Sequence, residues 1–214
     1  MVRKNIFFIV FLVQGFYLFA TTQLTDCLIY NGVEYKLNVN PMEPYFDKFP
    51  EKRPPITTSL LGNGYVATFE IVQNELWVID IKKIEIIIID NKLTSRNITI
   101  INECLDGQDR MKVDWFNGLL TIPQGNIVEN AYLGSGTTYE YFKLMEIENG
   151  NYIREFDLNY ERYYRYRDAQ YEMYKQTDAY KNLINKYSET LPEEMLDSII
   201  RTYSTEYMTI IVHE

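Results

Sequence analysis

Two pairs of adjacent residues combine a carboxylate with an aromatic ring. Asp114 precedes Trp115, and Tyr139 precedes Glu140. Paired carboxylates can act as acid and base in glycoside hydrolysis, and aromatic rings can stack on sugar faces. Some pair among 30 acidic residues will always fit this pattern. The sequence therefore favours a non-catalytic protein, and a glycan-binding or glycan-cleaving site at these four residues is the alternative.

Other common catalytic arrangements lack a necessary residue. His213 is the single histidine and stands next to the last residue. That position favours a solvated side chain over a Ser-His-Asp or Cys-His site, or a zinc site of linked His and Cys ligands. The run Gly134–Thr138 resembles a phosphate-binding loop in composition, but it lacks the lysine and leads into a strand. The sequence therefore predicts no cofactor and no metal.

Cys27 and Cys104 are the two cysteines of the chain. In an oxidising compartment they can form one disulfide across a long loop, a closure that chain entropy values at about 4–5 kcal/mol. The alternative is two separate buried thiols. Spacing alone does not distinguish the two, because a disulfide also requires the right geometry.

The first twenty residues have the features of a secretory signal peptide. Arg3 and Lys4 precede the apolar run Ile6–Ala20, and small residues follow it. As a helix this run would span about 22 Å, short of the roughly 30 Å hydrocarbon core of a bilayer. The sequence predicts a signal peptide at 1–20 and a single domain at 21–214, exported to the periplasm or beyond, with no stable membrane span after cleavage.

The dipeptide Asn-Gly lies between apolar runs at Asn31–Gly32, Asn117–Gly118 and Asn149–Gly150. This is the strongest short signal of a two-residue hairpin, because both turn residues take positive φ. With the central hairpin described next, four hairpins and mostly antiparallel pairing are predicted.

Residues 64–90 form the central hairpin of the predicted fold, with apolar and polar residues alternating on both sides of a loop. A two-residue loop would place Asp80 among apolar side chains. A three-residue loop, Gln73–Glu75, separates the faces more cleanly. The sequence therefore predicts the longer loop, with these pairs in the core: Ile71–Trp77, Phe69–Ile79 and Ala67–Ile81.

The run Ile84–Ile89 is apolar apart from Glu85. Its change of phase predicts a bulge or bend at Lys82–Lys83, followed by a strand covered on both faces. The proline-rich stretch Asn40–Pro55 predicts an ordered loop without a regular element, because proline interrupts helices and strands. We expect the aromatic residues of this loop to plug one end of the core.

From Asn159 the period changes to that of a helix, carried by tyrosines at three- and four-residue steps. Thr190 has capping-box spacing and predicts a second helix to about Thr205, and Tyr207–Val212 predicts a closing strand. Strands followed by helices predict an α+β fold. It would be a curved, mostly antiparallel sheet or partial barrel built from hairpins, with the C-terminal helices packed on one side.

Several short blocks of this chain resemble a family of uncharacterised bacterial exported proteins. The blocks are Tyr30–Tyr35, Asn40–Phe46, Arg53–Pro54, Gly64–Ile71, Asp114–Leu120 and Gly136–Glu140. The resemblance implies a single bacterial domain and adds no mechanism. By analogy, small acidic bacterial proteins of this kind include toxin-neutralising proteins.

The 21 basic and 30 acidic residues give a net charge of −9. This balance argues against nucleic acid, whose binding depends on cationic contacts to phosphate. It is compatible with a cationic partner. The sequence predicts an exported, non-catalytic binding protein of a bacterial cell envelope that acts on a protein partner, with toxin neutralisation as one such role.

Overall fold

The computed structural model describes residues 24–57, 61, 63–89, 92–129, 138–188, 192, 194–197 and 200–201. They belong to two compact units. The strand unit comprises the described residues of Thr21–Pro123 and Leu144–Phe156, and the helix unit those of Gln124–Lys143 and Asp157–Glu214. The predicted signal peptide lies outside the described residues.

The described residues include nine strands and four α-helices. The strands are β1 (Cys27–Tyr30), β2 (Val33–Lys36), β3 (Val66–Val72), β4 (Glu75–Ile89), β5 (Lys92–Thr99), β6 (Met111–Lys112), β7 (Gly118–Glu129), β8 (Thr138–Glu148) and β9 (Asn151–Asn159). The helices are α1 (Glu43–Lys48), α2 (Ile101–Cys104), α3 (Tyr160–Tyr174) and α4 (Asp178–Tyr187). Within this part of the chain, no helix combines the length and apolar character needed to cross a membrane.

The strands form a mostly antiparallel sheet in the order β2-β1-β3-β4-β9-β8-β7, and β5 and β6 each pair with β4 beside this path. β1 lies parallel to β3, whereas β4 pairs antiparallel with β3, β5, β6 and β9. The predicted α+β class, with a hairpin-built antiparallel sheet and a C-terminal helix packed on strands, is confirmed.

Two of the three predicted Asn-Gly hairpins form. The φ values are 51° and 75° at Asn31–Gly32, and 48° and 71° at Asn149–Gly150, the left-handed conformation that such turns require. The predicted hairpin at Asn117–Gly118 is wrong. Val113 and Phe116 are both buried, a three-residue spacing that suits the observed turn better than the two-residue period of a strand.

The central hairpin turns in two residues, so the predicted three-residue loop is wrong. Gln73 and Asn74 have φ values of 52° and 62°, and Val72 pairs directly with Glu75. A turn with two positive φ values has a twist that matches the twist of the flanking strands. The local geometry of the turn therefore sets the register of the first pairs.

A bulge then restores the apolar face. Phe69 pairs with Val78, and Thr68 pairs with Asp80, so Ile79 is the extra residue. Beyond it the pair Ala67–Ile81 forms as predicted. Leu76 and Val78 are fully buried in the core, whereas Trp77 and Ile79, which were predicted to be there, are only partly buried.

The predicted bulge at Lys82–Lys83 is not found, because the pairing of β4 with β5 is regular from Lys82 to Ile89. The run Ile84–Ile89 is also not covered on both faces. Ile84 is buried, but Ile88 is 71% exposed. β5 ends at Thr99, where the chain turns into α2.

The proline-rich stretch does contain regular structure, contrary to the prediction. Pro44 lies in the first turn of α1, where its missing N–H is tolerated. A 3₁₀ turn, Pro50–Lys52, follows. As expected, the aromatic residues enter the core of the strand unit. Tyr45 is 5% exposed, Phe46 is fully buried, and Phe49 packs against them.

The predicted tyrosine-rich helix is confirmed as α3. The Asn159 side chain caps it by accepting a hydrogen bond from the Arg162 N–H. α4, capped by Thr177, was not predicted, and residues 194–197 are helical. Thr190 and the predicted strand at Tyr207–Val212 lie outside the described residues.

Candidate functional site

Asp114 and Trp115 lie in the strand unit, in the turn before β7. Asp114 is exposed. The indole N–H of Trp115 donates a 2.9 Å hydrogen bond to the Pro41 carbonyl, and its ring lies 4.7 Å from that of Tyr45. The Trp115 ring is therefore held against the core as a packing group.

Tyr139 and Glu140 lie on β8 in the helix unit. The Tyr139 ring meets Phe142 edge-on, with centroids 6.2 Å apart. Oε2 of Glu140 accepts the Asn126 backbone N–H at 2.9 Å. Gly125 approaches so closely that an added Cβ would stand 2.6 Å from that same oxygen. The Glu140 carboxylate therefore ties β8 to β7.

The candidate disulfide between Cys27 and Cys104 is not formed, and both cysteines are free thiols. Cys27 Sγ lies 3.8 Å from the Thr25 carbonyl, to which it donates. Burial raises the pKa of both thiols, that of Cys104 to about 11. Both therefore resist ionisation, and a thiolate is the form in which cysteine attacks a substrate or binds a metal.

Among the residues that the structure describes, no three His, Cys, Asp or Glu side chains are grouped so that they could hold a metal ion. The helix unit has an open cavity of about 300 Å³ lined by Tyr164, Arg167, Asp168 and Arg201. Arg201 is paired with Asp168 at 2.9 Å, and the Arg167 guanidinium lies over the Tyr164 ring at 5.2 Å. The cationic groups of the cavity are thus engaged with their own neighbours.

A polar cluster that the sequence did not indicate lies partly buried in the strand unit. It consists of Asp26, Glu43, Arg53 and Tyr65. Arg53 forms a two-pronged ion pair with Glu43, with both N–O distances at 3.0 Å, and the Tyr65 hydroxyl donates to Oε1 of Glu43 at 2.8 Å. Burial and the two carboxylates raise the pKa of Tyr65 far above its usual value.

Unlike Glu43, Asp26 has a single hydrogen-bond donor to its carboxylate among the described residues. It is 3% exposed, and its Oδ1 accepts the Ala67 N–H at 2.8 Å. Its Oδ2 is buried without a hydrogen-bond partner among the described residues. The pKa of Asp26 is raised to about 7, mainly by burial; the hydrogen bond from the Ala67 N–H opposes this rise, and the negative charge of Glu43 adds to it.

The second feature that the sequence located only in part is the isoleucine arm, defined as Lys83–Ile89 of β4 with Lys92–Ile98 of β5. The pairing of β3 with β4 ends at Lys82. Beyond that point β5 is the strand that pairs with β4 in the described part of the chain. The arm is therefore two strands wide, and an isolated two-stranded hairpin is at best marginally stable in water.

Ile88, toward the outer end of the arm, is open to solvent. Ile88 is 71% exposed, and Ile56 is 66% exposed, the two largest fractions among the exposed large apolar residues described. Ile56 is beside the arm, because the hydroxyl of its neighbour Thr57 donates to the Ile84 carbonyl at 3.4 Å. Exposed apolar surface on a strand with an unpaired edge is typical of interaction sites.

Comparisons of the chain with protein-family models, curated proteins and solved structures give no match. The resemblance carried by the short sequence blocks therefore stays a prediction, and any functional conclusion depends on the geometry above.

Proposed function

We propose that the chain is an exported, non-catalytic binding protein of a bacterial cell envelope and that its ligand is another protein. The observation that carries the proposal is the isoleucine arm, with Ile88 71% exposed on a two-stranded extension of the sheet. Burial of one isoleucine side chain contributes roughly 1.5–3 kcal/mol. A partner that covers the arm would gain that energy.

The edge of β4 beyond Ile84 defines the mode of binding. Past Lys82 the side of β4 that pairs with β3 has no paired strand in the described residues, and the Thr57 hydroxyl takes up the Ile84 carbonyl there. An extended segment of a partner can add there as a further strand, with backbone hydrogen bonds providing affinity and the isoleucines providing apolar contact. The net charge of −9 favours a basic partner, because opposite charge speeds encounter. A cationic toxin would fit this chemistry.

Site-specific photo-crosslinking tests the proposal. A photoreactive phenylalanine at position 88 of the full chain should give one dominant adduct with an envelope protein. The same group at Ile153, which is 49% exposed on β9 of the same unit, is the matched control and should not give it. Equal adducts at both positions, or none at 88, would contradict the proposal.

A second form of the test introduces a charge, with the variants Ile88→Asp and Ile153→Asp. Ile88→Asp should weaken capture of the crosslinked partner at least tenfold, because it places a charge where an apolar contact is buried. Ile153→Asp should leave capture unchanged. A crosslink from position 88 to a second copy of the chain would replace a separate partner with self-association.

The glycan alternative has a separate test at Asp114, Trp115, Tyr139 and Glu140. Asp114 is exposed and directly precedes Trp115 in the turn before β7. Glycan-array binding that is lost in Asp114→Asn, with folding intact, would favour this alternative. The same binding with no change on substitution, or no binding, would remove it.

A further inference from the structure

Asp26 joins three strands at the point where the first hairpin meets the sheet. Its backbone carbonyl accepts the Leu37 N–H at 2.8 Å, just after β2. Its side-chain Oδ1 accepts the Ala67 N–H of β3, also at 2.8 Å. From the next residue on, β1 pairs with β3 in parallel, beginning with Cys27 opposite Thr68. A change at Asp26 therefore acts on the junction of β1, β2 and β3 together.

The neighbouring donors are directed at Glu43 and not at Asp26. Both terminal guanidinium nitrogens of Arg53 and the hydroxyl of Tyr65 donate to the Glu43 carboxylate, and Arg53 also donates to Asp47 at 3.3 Å. That leaves Asp26 with the Ala67 N–H as its side-chain donor and with one buried oxygen unpaired among the described residues. An ionised carboxylate in this place would be a buried charge beside a second negative charge, which is far more costly than a neutral carboxyl.

We propose that Asp26, when its carboxyl is protonated, holds the first hairpin (β1 and β2) to β3. With its carboxyl protonated, Asp26 stays buried and holds the Ala67 N–H. With its carboxyl ionised, the junction of β1, β2 and β3 opens locally so that the charge reaches water.

The surroundings of Asp26 favour its protonated form. Glu43 approaches from α1 and disfavours a second anion, while Arg53 is held by Glu43. Tyr65 and the Cys27 thiol are neutral neighbours whose pKa values are themselves raised. Together these effects, with burial the largest, raise the pKa of Asp26 to about 7. The junction of β1, β2 and β3 is therefore more stable at acidic pH and opens more readily toward neutral pH.

Hydrogen exchange measured on the full chain across pH 5–9 tests this inference. After division by the intrinsic exchange rate, the opening constant of the Ala67 and Leu37 amides should rise about tenfold per pH unit up to about pH 7 and then level off. Asp26→Asn, which keeps the acceptor oxygen but cannot ionise, should abolish this slope.

Asp80→Asn is the matched control. Asp80 also has a buried oxygen without a partner among the described residues, but its other oxygen is paired with Lys82 at 2.8 Å. This variant should keep the wild-type slope. Titration of the Asp26 carboxyl carbon by NMR needs no variant and should give a midpoint near pH 7. A midpoint near 4, or a slope that persists in Asp26→Asn, would overturn the proposal.

Discussion

The ring of Tyr163 lies flat on the ring of Phe142, with centroids 3.7 Å apart and planes inclined by 13°. Phe142 is on β8, Tyr163 is in the first turns of α3, and both are buried. The tyrosines of α3 form a poor helix by propensity. This contact therefore supplies stability that the helix lacks by itself.

Phe142→Ala should destabilise the protein by about 3–5 kcal/mol, because it removes the ring on which α3 packs and leaves a cavity. The matched control is Tyr141→Ala. Tyr141 is the adjacent residue and is 52% exposed, so its removal should cost less than about 1 kcal/mol. Urea unfolding followed by circular dichroism measures both. Similar losses in the two variants would show that α3 does not depend on the stack.

The free energy of unfolding should fall as pH rises from about 4 to about 7. The pKa of Asp26 is about 7 in the folded protein, against an ordinary value of 3.8. The folded state therefore keeps this proton after the unfolded chain has released it. The stability due to the proton is fully present below pH 4 and is lost by about pH 7, by at most roughly 4 kcal/mol.

Urea unfolding of the wild type and Asp26→Asn at a series of pH values isolates this effect, since contributions from other groups cancel in the difference. The gap between the two proteins should shift in favour of Asp26→Asn as pH rises toward 7 and stay constant above it. A gap independent of pH would mean that Asp26 titrates in its ordinary range.

Glu43→Gln should lower the pKa of Asp26. Glu43 raises that pKa through its negative charge, which the substitution removes. The shift should be only part of the way to the ordinary value, because burial is the larger cause. NMR titration of the Asp26 carboxyl measures it. A pKa that rises in Glu43→Gln would contradict the arrangement of charges described here.

Gln73→Gly should stabilise the protein by about 0.5–1 kcal/mol. Gln73 has a φ of 52° and is exposed, so glycine relieves the backbone strain without loss of packing. Gln73→Ala is the control and should bring no gain, since alanine keeps the Cβ that disfavours this conformation. Thermal unfolding distinguishes the two. Equal effects would argue against the two-residue turn.

The features predicted correctly from the sequence are local ones. The turns at Asn31–Gly32 and Asn149–Gly150 and the start of α3 at Asn159 depend on residues a few positions apart. The error in the central hairpin has a clear origin. The prediction rests on an uninterrupted alternation of apolar and polar residues along both strands. The bulge at Ile79 breaks that alternation, so a two-residue turn is compatible with the predicted Ala67–Ile81 pair.

The candidate sites depend on contacts that periodicity does not report. Asp26 and Ala67 are 41 positions apart, and the exposed Ile88 lies on a part of β4 that continues beyond the last pair with β3, Val66–Lys82.

The sequence by itself determined the fold class and two of its tight turns, because backbone preferences and hydrophobic period act over neighbouring residues. The tertiary structure alone decided which carboxyl is left uncompensated and which isoleucines face water. Desolvation and exposure depend on everything that packs around a side chain, and that packing is assembled from distant parts of the chain.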